Sequence, residues 1–285
     1  MVKLLAEAAP AKINLFLRVV GRRADGYHEL DSVFVPISLA DRVRVEMRRA
    51  PGRAIALRCD RAGIPDGERN LAWRAADAFM REFGVNAEIL IDLHKEIPAG
   101  AGLGGGSSDA GAVLRIMAAM QRVGDLARLA RVALGLGADV PFFLAPRAAH
   151  VGGIGERIRP LERCARLWMA IAVPAVEIPT AEVYRALEPE HWSGPAPAEH
   201  LRAITEGRIT PAVVQNDLAA AAMALYPQIA RLRKALETAG ASAAAMSGSG
   251  GAVFGLFAGE EQASRAVEKL RPEVPEARLF VAHSL

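Results

Sequence analysis

The chain has 285 residues, 52% hydrophobic and 24% charged, a balance that suits one large or two ordinary folded domains and excludes a wholly disordered protein. A net charge of +3 with no long Lys/Arg block argues against a nucleic-acid partner. Two cysteines, Cys59 and Cys164, are too few for a disulfide framework or a Cys-based zinc site.

Short alternating or β-branched runs bounded by Gly, Pro or Asp predict strands at residues 12–20, 32–39, 42–48 and 54–58. Helical spacing predicts a helix over 70–83, ended by Gly84, and 87–93 reads as a strand. A glycine-rich loop follows, then helices at about 108–122 and 125–136, the second closed by Gly137. Beyond Gly155 come a strand at 167–173, a helix at 180–187 and a Pro-bearing loop at 192–199. Helices are then expected at about 197–206, 216–225 and 227–239, followed by residues 243–247 and a Gly/Ser turn. A strand at 252–257, a helix at 260–270 and a strand at 278–282 complete the chain. This mixture, without regular βαβ repetition, predicts an α+β fold in two lobes, 1–155 and 156–285. The most apolar stretch, 167–176, is too short for a membrane span and contains Pro174, and Glu7 and Lys12 interrupt the apolar start. No membrane and no obligate protein partner is expected, and the location is expected to be cytoplasmic.

The most informative stretch is Pro98-Ala99-Gly100-Ala101-Gly102-Leu103-Gly104-Gly105-Gly106-Ser107-Ser108, between a strand and a helix. Glycine permits positive φ and lets backbone N–H groups approach a ligand closely. Ser107, Ser108 and Asp109 are N-cap residue types, so a helix N-terminus is expected to open here and, with its dipole, to make an anion site suited to phosphate. The plainer alternative is a tight turn before a capped helix. A Walker A loop would carry Lys where Gly106 stands. Gly100, Gly102 and Gly105 match a dinucleotide fingerprint, with Asp125 at the acidic position. That fingerprint should follow a strand directly, however, and residues 95–98 intervene.

Three other places carry unusual chemistry. Lys12 precedes a strand beside Asn14; only five of the 35 basic residues are lysines, so a lysine in a special place is informative. Tyr27 and His28 end an Asp-Gly turn, which could equally be a surface turn with the aromatic packed down. Asp139 directly precedes an apolar run and either caps the next turn or has a functional partner. A second glycine turn spans 246–251 and reads as a hairpin turn or a second anion nest.

Together Ala11-Lys-Ile-Asn-Leu-Phe-Leu17, Arg23-Ala-Asp-Gly-Tyr-His-Glu-Leu30, Gly102-Leu-Gly-Gly-Gly-Ser-Ser-Asp109, Leu136-Gly-Ala-Asp-Val-Pro141 and Ser247-Gly-Ser-Gly250 resemble the GHMP kinase superfamily of small-molecule kinases, in the right order over essentially the whole chain. The resemblance implies a two-lobed α+β architecture with the active site in a cleft between lobes. It implies ATP as phosphoryl donor, with Mg²⁺ bridging its phosphates, and a small cytidine diphosphate compound as acceptor. By resemblance, Lys12 and Asp139 are the catalytic pair and residues 98–108 cradle ATP. Asn70 and Lys95 lie near the adenosine part. Asn14, Tyr27, His28, Thr180, Gly248 and Ser249 face the acceptor, and Ser108 is a candidate Mg²⁺ ligand. Ala99 and Ala101 depart from the glycines of some relatives, tolerably so where backbone binds phosphate. The alternatives are a GHMP-type kinase acting on homoserine or a mevalonate derivative, or a non-catalytic nucleotide-binding protein on the same scaffold.

Overall fold

The computed structural model describes residues 2–285. The chain divides into two compact units that interleave in sequence. The first comprises the N-terminal residues to Ala11, Ala40–Ala99 and Gly104–Pro146; the second comprises Lys12–Leu39, Gly100–Leu103 and Arg147–Leu285. The expected single break near residue 155 is therefore replaced by several crossings, the last at Pro146–Arg147. The physical reason is strand length. β1 (Val2–Arg22) and β2 (His28–Arg49) each begin in one unit and end in the other. Asp41, in the break expected between the strands at 32–39 and 42–48, does not interrupt β2; its side chain is turned inward and is 1% exposed.

In the first unit, β3 (Ala54–Cys59) pairs parallel with β4 (Ala87–His94), and β4 pairs antiparallel with Arg42–Arg49 of β2. Helix α1 (Leu71–Glu82) starts at Asn70, whose side chain accepts from Ala72 N–H (2.9 Å). Helices α2 (Gly105–Gln121) and α3 (Leu126–Leu136) follow. Phe79, Met80, Ile91, Ile116 and Met117 sit in one apolar core with the alanines of α1 and α2. Burial of each large apolar side chain there contributes about 1.5–3 kcal/mol. Small residues let the elements approach: a Cβ on Gly111 would lie 2.6 Å from Phe143 Cβ. That contact seats the 3₁₀ turn Val140–Leu144 on α2.

In the second unit, Leu30–Phe34 of β2 pair antiparallel with β5 (Ala149–Gly153), which pairs in turn with β6 (Arg157–Pro160). The sequence pattern does not predict β5 or β6, because both are short and their turn is glycine-rich, with Gly153 at φ +73°. A second sheet has the order β10–β7–β9–β8, all antiparallel, where β7 is Trp168–Val173, β8 Ala243–Met246, β9 Val253–Phe257 and β10 Arg278–His283. The helices are α4 (Thr180–Arg185), α5 (Ala198–Thr205), α6 (Ala219–Leu225), α7 (Pro227–Thr238) and α8 (Glu260–Glu273). Leu218, Ile229, Leu232, Leu236, Val267 and Leu270 join sheet residues in its core. Among the described residues no helix is long and apolar enough to cross a membrane.

Candidate active site

In the first unit the glycine loop ends at the start of α2. The helix opens at Gly105, three residues before the predicted start, with Gly104 as N-cap in the left-handed region (φ 72°, ψ 17°) and no side-chain cap. The expected capping by Ser107–Asp109 is thus corrected. Ser108 is fully buried and its hydroxyl donates to Pro10 O (2.7 Å), while Asp109 meets Lys95. A helix whose first-turn N–H groups have no side-chain acceptor keeps its anion-binding capacity. Gly106 is exposed, and a Cβ there would meet nothing within 4 Å. No packing within the protein accounts for a glycine at that position.

Asp139 stands immediately before the turn that Phe143 seats on α2, half-buried, at φ −81° and ψ −18°. Its carboxylate makes no capping bond to that turn. Asp125, the acid of the discounted dinucleotide fingerprint, caps α3 by accepting from Arg128 N–H (2.9 Å).

Asn70 and Lys95 are engaged inside the first unit. Besides capping α1, the Asn70 amide donates to Pro65 O (2.8 Å). Lys95 is 6% exposed; its ammonium donates to Asp109 Oδ2 (2.5 Å) and to Asp41 Oδ2. Burial works against the Lys95 charge, but the two carboxylates outweigh it and hold the ammonium's pKa above its ordinary value. Burial pushes the Asp109 carboxyl up to about 7; the Lys95 ammonium opposes this and the Asp41 carboxylate adds to it. A raised pKa in the fold means stability that is fully present below the ordinary carboxyl value of 3.8 and is lost as pH rises through about 7. We therefore expect the wild-type melting temperature to fall, relative to Asp109→Asn, between about pH 4 and 7 and to level off above that. Parallel pH profiles for the two proteins would show that Asp109 holds no proton in this range.

In the second unit the other half of the loop meets the Lys12 strand and the late glycine turn. Lys12 N–H donates to Leu103 O (2.9 Å). The Lys12 side chain is 4% exposed; its ammonium donates to Asn14 Oδ1 (2.5 Å) and lies 4.6 Å from the centre of the Phe34 ring. Asn14 Nδ2 donates to Ser32 Oγ (2.9 Å), so the amide's orientation is set by a chain of bonds. Ser247 Oγ accepts from Asn14 N–H (3.2 Å) and donates to Gly102 O (3.1 Å). Glycine is needed at Gly102 because a Cβ would strike the Ser247 carbonyl, and at Gly251 because a Cβ would come 2.6 Å from Ala101 Cα. The two glycine turns thus lock backbone to backbone, with Ala252 N–H donating to Ala101 O (2.8 Å).

Around Tyr27 and His28 the chain is held by Asp25, which accepts from Tyr27 N–H (3.2 Å), and by the Arg23 N–H bond to Tyr27 O (2.8 Å). Tyr27 is 61% exposed. His28 instead stacks on Tyr184 (ring centres 5.2 Å apart, 28° between planes) and meets Trp192 edge-on at 5.8 Å. Burial lowers the His28 pKa, with a smaller contribution from Arg22, so the neutral ring is favoured. Thr180 and Ser249 share a hydroxyl–hydroxyl bond of 2.7 Å. Gly248 is buried at φ +60° in the same turn.

Four residues near these groups escape the sequence reading: Asp41, Tyr184, Trp192 and Asn216. Asn216 Nδ2 donates to Met246 O (2.9 Å) and Gly248 O (2.8 Å), fixing the late turn from below. Its signal, an Asn-Asp pair before a helix, reads only as a helix start.

Residues 70–146 match the family of GHMP kinases N terminal domain, and residues 203–276 that of GHMP kinases C terminal. The chain belongs to the GHMP kinase family. It is 46% identical over 269 residues to a 4-diphosphocytidyl-2-C-methyl-D-erythritol kinase of Anaeromyxobacter dehalogenans, an alignment covering 92% of this chain and 83% of that protein. A crystal structure of 4-(cytidine 5′-diphospho)-2C-methyl-D-erythritol kinase superposes with a TM-score of 0.85 at 39% identity, over 98% of this chain and 99% of the other. A homoserine kinase from Cytophaga hutchinsonii shares the fold, with a TM-score of 0.76 at 18% identity over 100% and 94%.

Proposed function

We propose that this protein is an ATP-dependent kinase that phosphorylates the 2-hydroxyl of 4-diphosphocytidyl-2-C-methyl-D-erythritol, on the non-mevalonate route to isoprenoids, in the cytoplasm. The observation that carries the reading is the bond from Lys12 N–H to Leu103 O, which ties the strand of a buried lysine to the glycine loop. Phosphoryl transfer asks a protein mainly for positioning and charge stabilisation. Backbone N–H groups within residues 99–107, at the loop and the uncapped start of α2, supply donors for the phosphates of ATP. Lys12, oriented by Asn14, stabilises charge developing on the acceptor oxygen, and Asp139 orients that hydroxyl and accepts its proton.

Mg²⁺ enters this account as part of the nucleotide substrate. Among the described residues no group of three or more His, Cys, Asp or Glu could hold a metal ion, and the Ser108 hydroxyl is donated to Pro10 inside the first unit. That bond spends the hydroxyl's hydrogen and leaves its oxygen lone pairs, so Ser108 stays the candidate ligand for the nucleotide's Mg²⁺.

The acceptor assignment rests on the relatives and on the aromatic group of His28, Tyr184 and Trp192 beside the exposed Tyr27. A pyrimidine offers these rings a flat face and a hydrogen-bonding edge, whereas homoserine or a mevalonate derivative offers neither. Base–aromatic stacking contributes about 1–3 kcal/mol per base. His28→Ala and Tyr184→Ala should accordingly raise KM for the cytidine acceptor about tenfold or more while KM for ATP changes little. Equal rises for both substrates would make the rings structural. The reading as a whole is tested by ADP release with the cytidine acceptor, homoserine and mevalonate phosphate offered separately; turnover on the first alone is expected.

A further inference from the structure

The buried charges of the first unit form a connected group whose partners are not arbitrary. Asp41 Oδ1 accepts from the N–H groups of Glu96 (2.7 Å) and Ile97 (2.8 Å), the residues entering the glycine loop. Asp41 Oδ2 takes the Lys95 ammonium, and the same ammonium donates to Asp109 Oδ2 (2.5 Å), at the start of the second turn of α2. A Cβ on Gly105 would lie 3.0 Å from Ile97 Cγ2 and 3.6 Å from Asp41 Oδ2, so the group lies against the start of α2. Asp41, Lys95 and Asp109 are 1%, 6% and 3% exposed.

A lone buried ion pair costs desolvation that its attraction barely offsets, and an apolar trio of similar volume would often be as stable. Charges retained here are instead placed where they join two backbone segments that sequence separates. The entry flank of the loop hangs on Asp41; the exit flank hangs on Asp109; Lys95 joins the two. The remaining oxygen, Asp109 Oδ1, is buried without a hydrogen-bond partner among the described residues. The carboxylate thus turns toward Lys95 at the expense of its other oxygen.

We propose that Lys95 is a positioning residue, the link in an ionic clasp with Asp41 and Asp109 that holds the two flanks of the glycine loop at fixed separation. The clasp acts on ATP only through the loop. This deepens the kinase reading and rests on it for the ligand, but the clasp itself is open to test without nucleotide.

The test is amide hydrogen exchange on the full-length protein, free of nucleotide, followed by ATP binding on the same samples. In Lys95→Met, exchange of the amides of residues 99–108 should accelerate about tenfold or more, while those of β4 and the middle of α2 keep wild-type rates. Should Lys95→Met not fold, Asp109→Ala and Asp109→Asn carry the comparison. The alanine variant releases the exit flank and should exchange fast. The asparagine variant keeps an oxygen for Lys95 and should stay within about twofold of wild type. Weaker ATP binding with unchanged KM for the acceptor should accompany fast exchange. Uniform acceleration over the whole first unit, or no change in the loop, would overturn the clasp. Failure of wild-type protein to bind ATP would overturn the kinase reading instead and leave the exchange result standing.

Discussion

Asp139→Asn should lower kcat by about 10²–10⁴-fold, the range for a positioned general base, with little change in KM for either substrate. Asparagine keeps the shape and hydrogen-bonding reach of the side chain but cannot accept a proton. The acceptor oxygen, on a carbon that also carries a methyl group, belongs to a tertiary alcohol, a weak nucleophile whose proton must go somewhere as the bond to phosphorus forms. Lys12→Met should be comparably severe, because it removes the ammonium that Asn14 orients and leaves the buried stem's volume filled. On the proposed mechanism both groups serve one oxygen, so the double variant should lose far less than the product of the two losses. Single-turnover rates on the three proteins, with circular dichroism as a check on folding, measure this. Near wild-type kcat in folded Asp139→Asn would remove Asp139 from the mechanism. Fully multiplicative losses would move Lys12 to the donor phosphates.

Gly104→Val should abolish measurable ATP binding. Gly104 holds the left-handed N-cap of α2, and a β-branched residue there is forced out of that region, tilting the first-turn N–H groups off their target. Gly106→Ala is the more discriminating partner. Its backbone is not in the left-handed region and its Cβ would meet open space, so the free protein should melt as wild type does or slightly higher, alanine being the better helix former. Isothermal titration should nevertheless show ATP binding weakened about tenfold or more, because only a bound phosphate would meet that methyl group. Normal affinity in Gly106→Ala would return this end of the loop to the role of a plain helix start.

Much of this was legible in the sequence because local chemistry dictated it. Gly84 and Gly137 stop helices where expected, and the segment 87–93 alternates as β4 does. The loop, Lys12, Asp139 and the 246–251 turn announce themselves by residue types that ordinary turns and strands do not need. What local pattern could not show depends on contacts distant in sequence. Asp41 falls in an expected break between two strands, yet is buried because Lys95 and the N–H groups of Glu96 and Ile97 receive it. Ser108 and Asp109 read as caps, but Pro10 and Lys95 claim their side chains, and the helix begins earlier. Lys95 and Asn70 read as nucleotide contacts through family resemblance; their side chains are engaged within the first unit. Tyr184 lies on a six-residue helix too short to show an amphipathic pattern, so nothing local marks its ring as the partner of His28.

As a member of this kinase family the chain carries a phosphoryl group from ATP to one tertiary hydroxyl. Phosphorus NMR of the product formed from ATP and 4-diphosphocytidyl-2-C-methyl-D-erythritol tests it most directly. A tertiary carbon bears no hydrogen, so the new phosphomonoester should appear as a single line without coupling to a carbon-bound proton, in step with ADP. A new resonance split by neighbouring protons would place the phosphate on a primary or secondary hydroxyl, and ADP released with no new phosphomonoester would mean hydrolysis; either result would contradict the account.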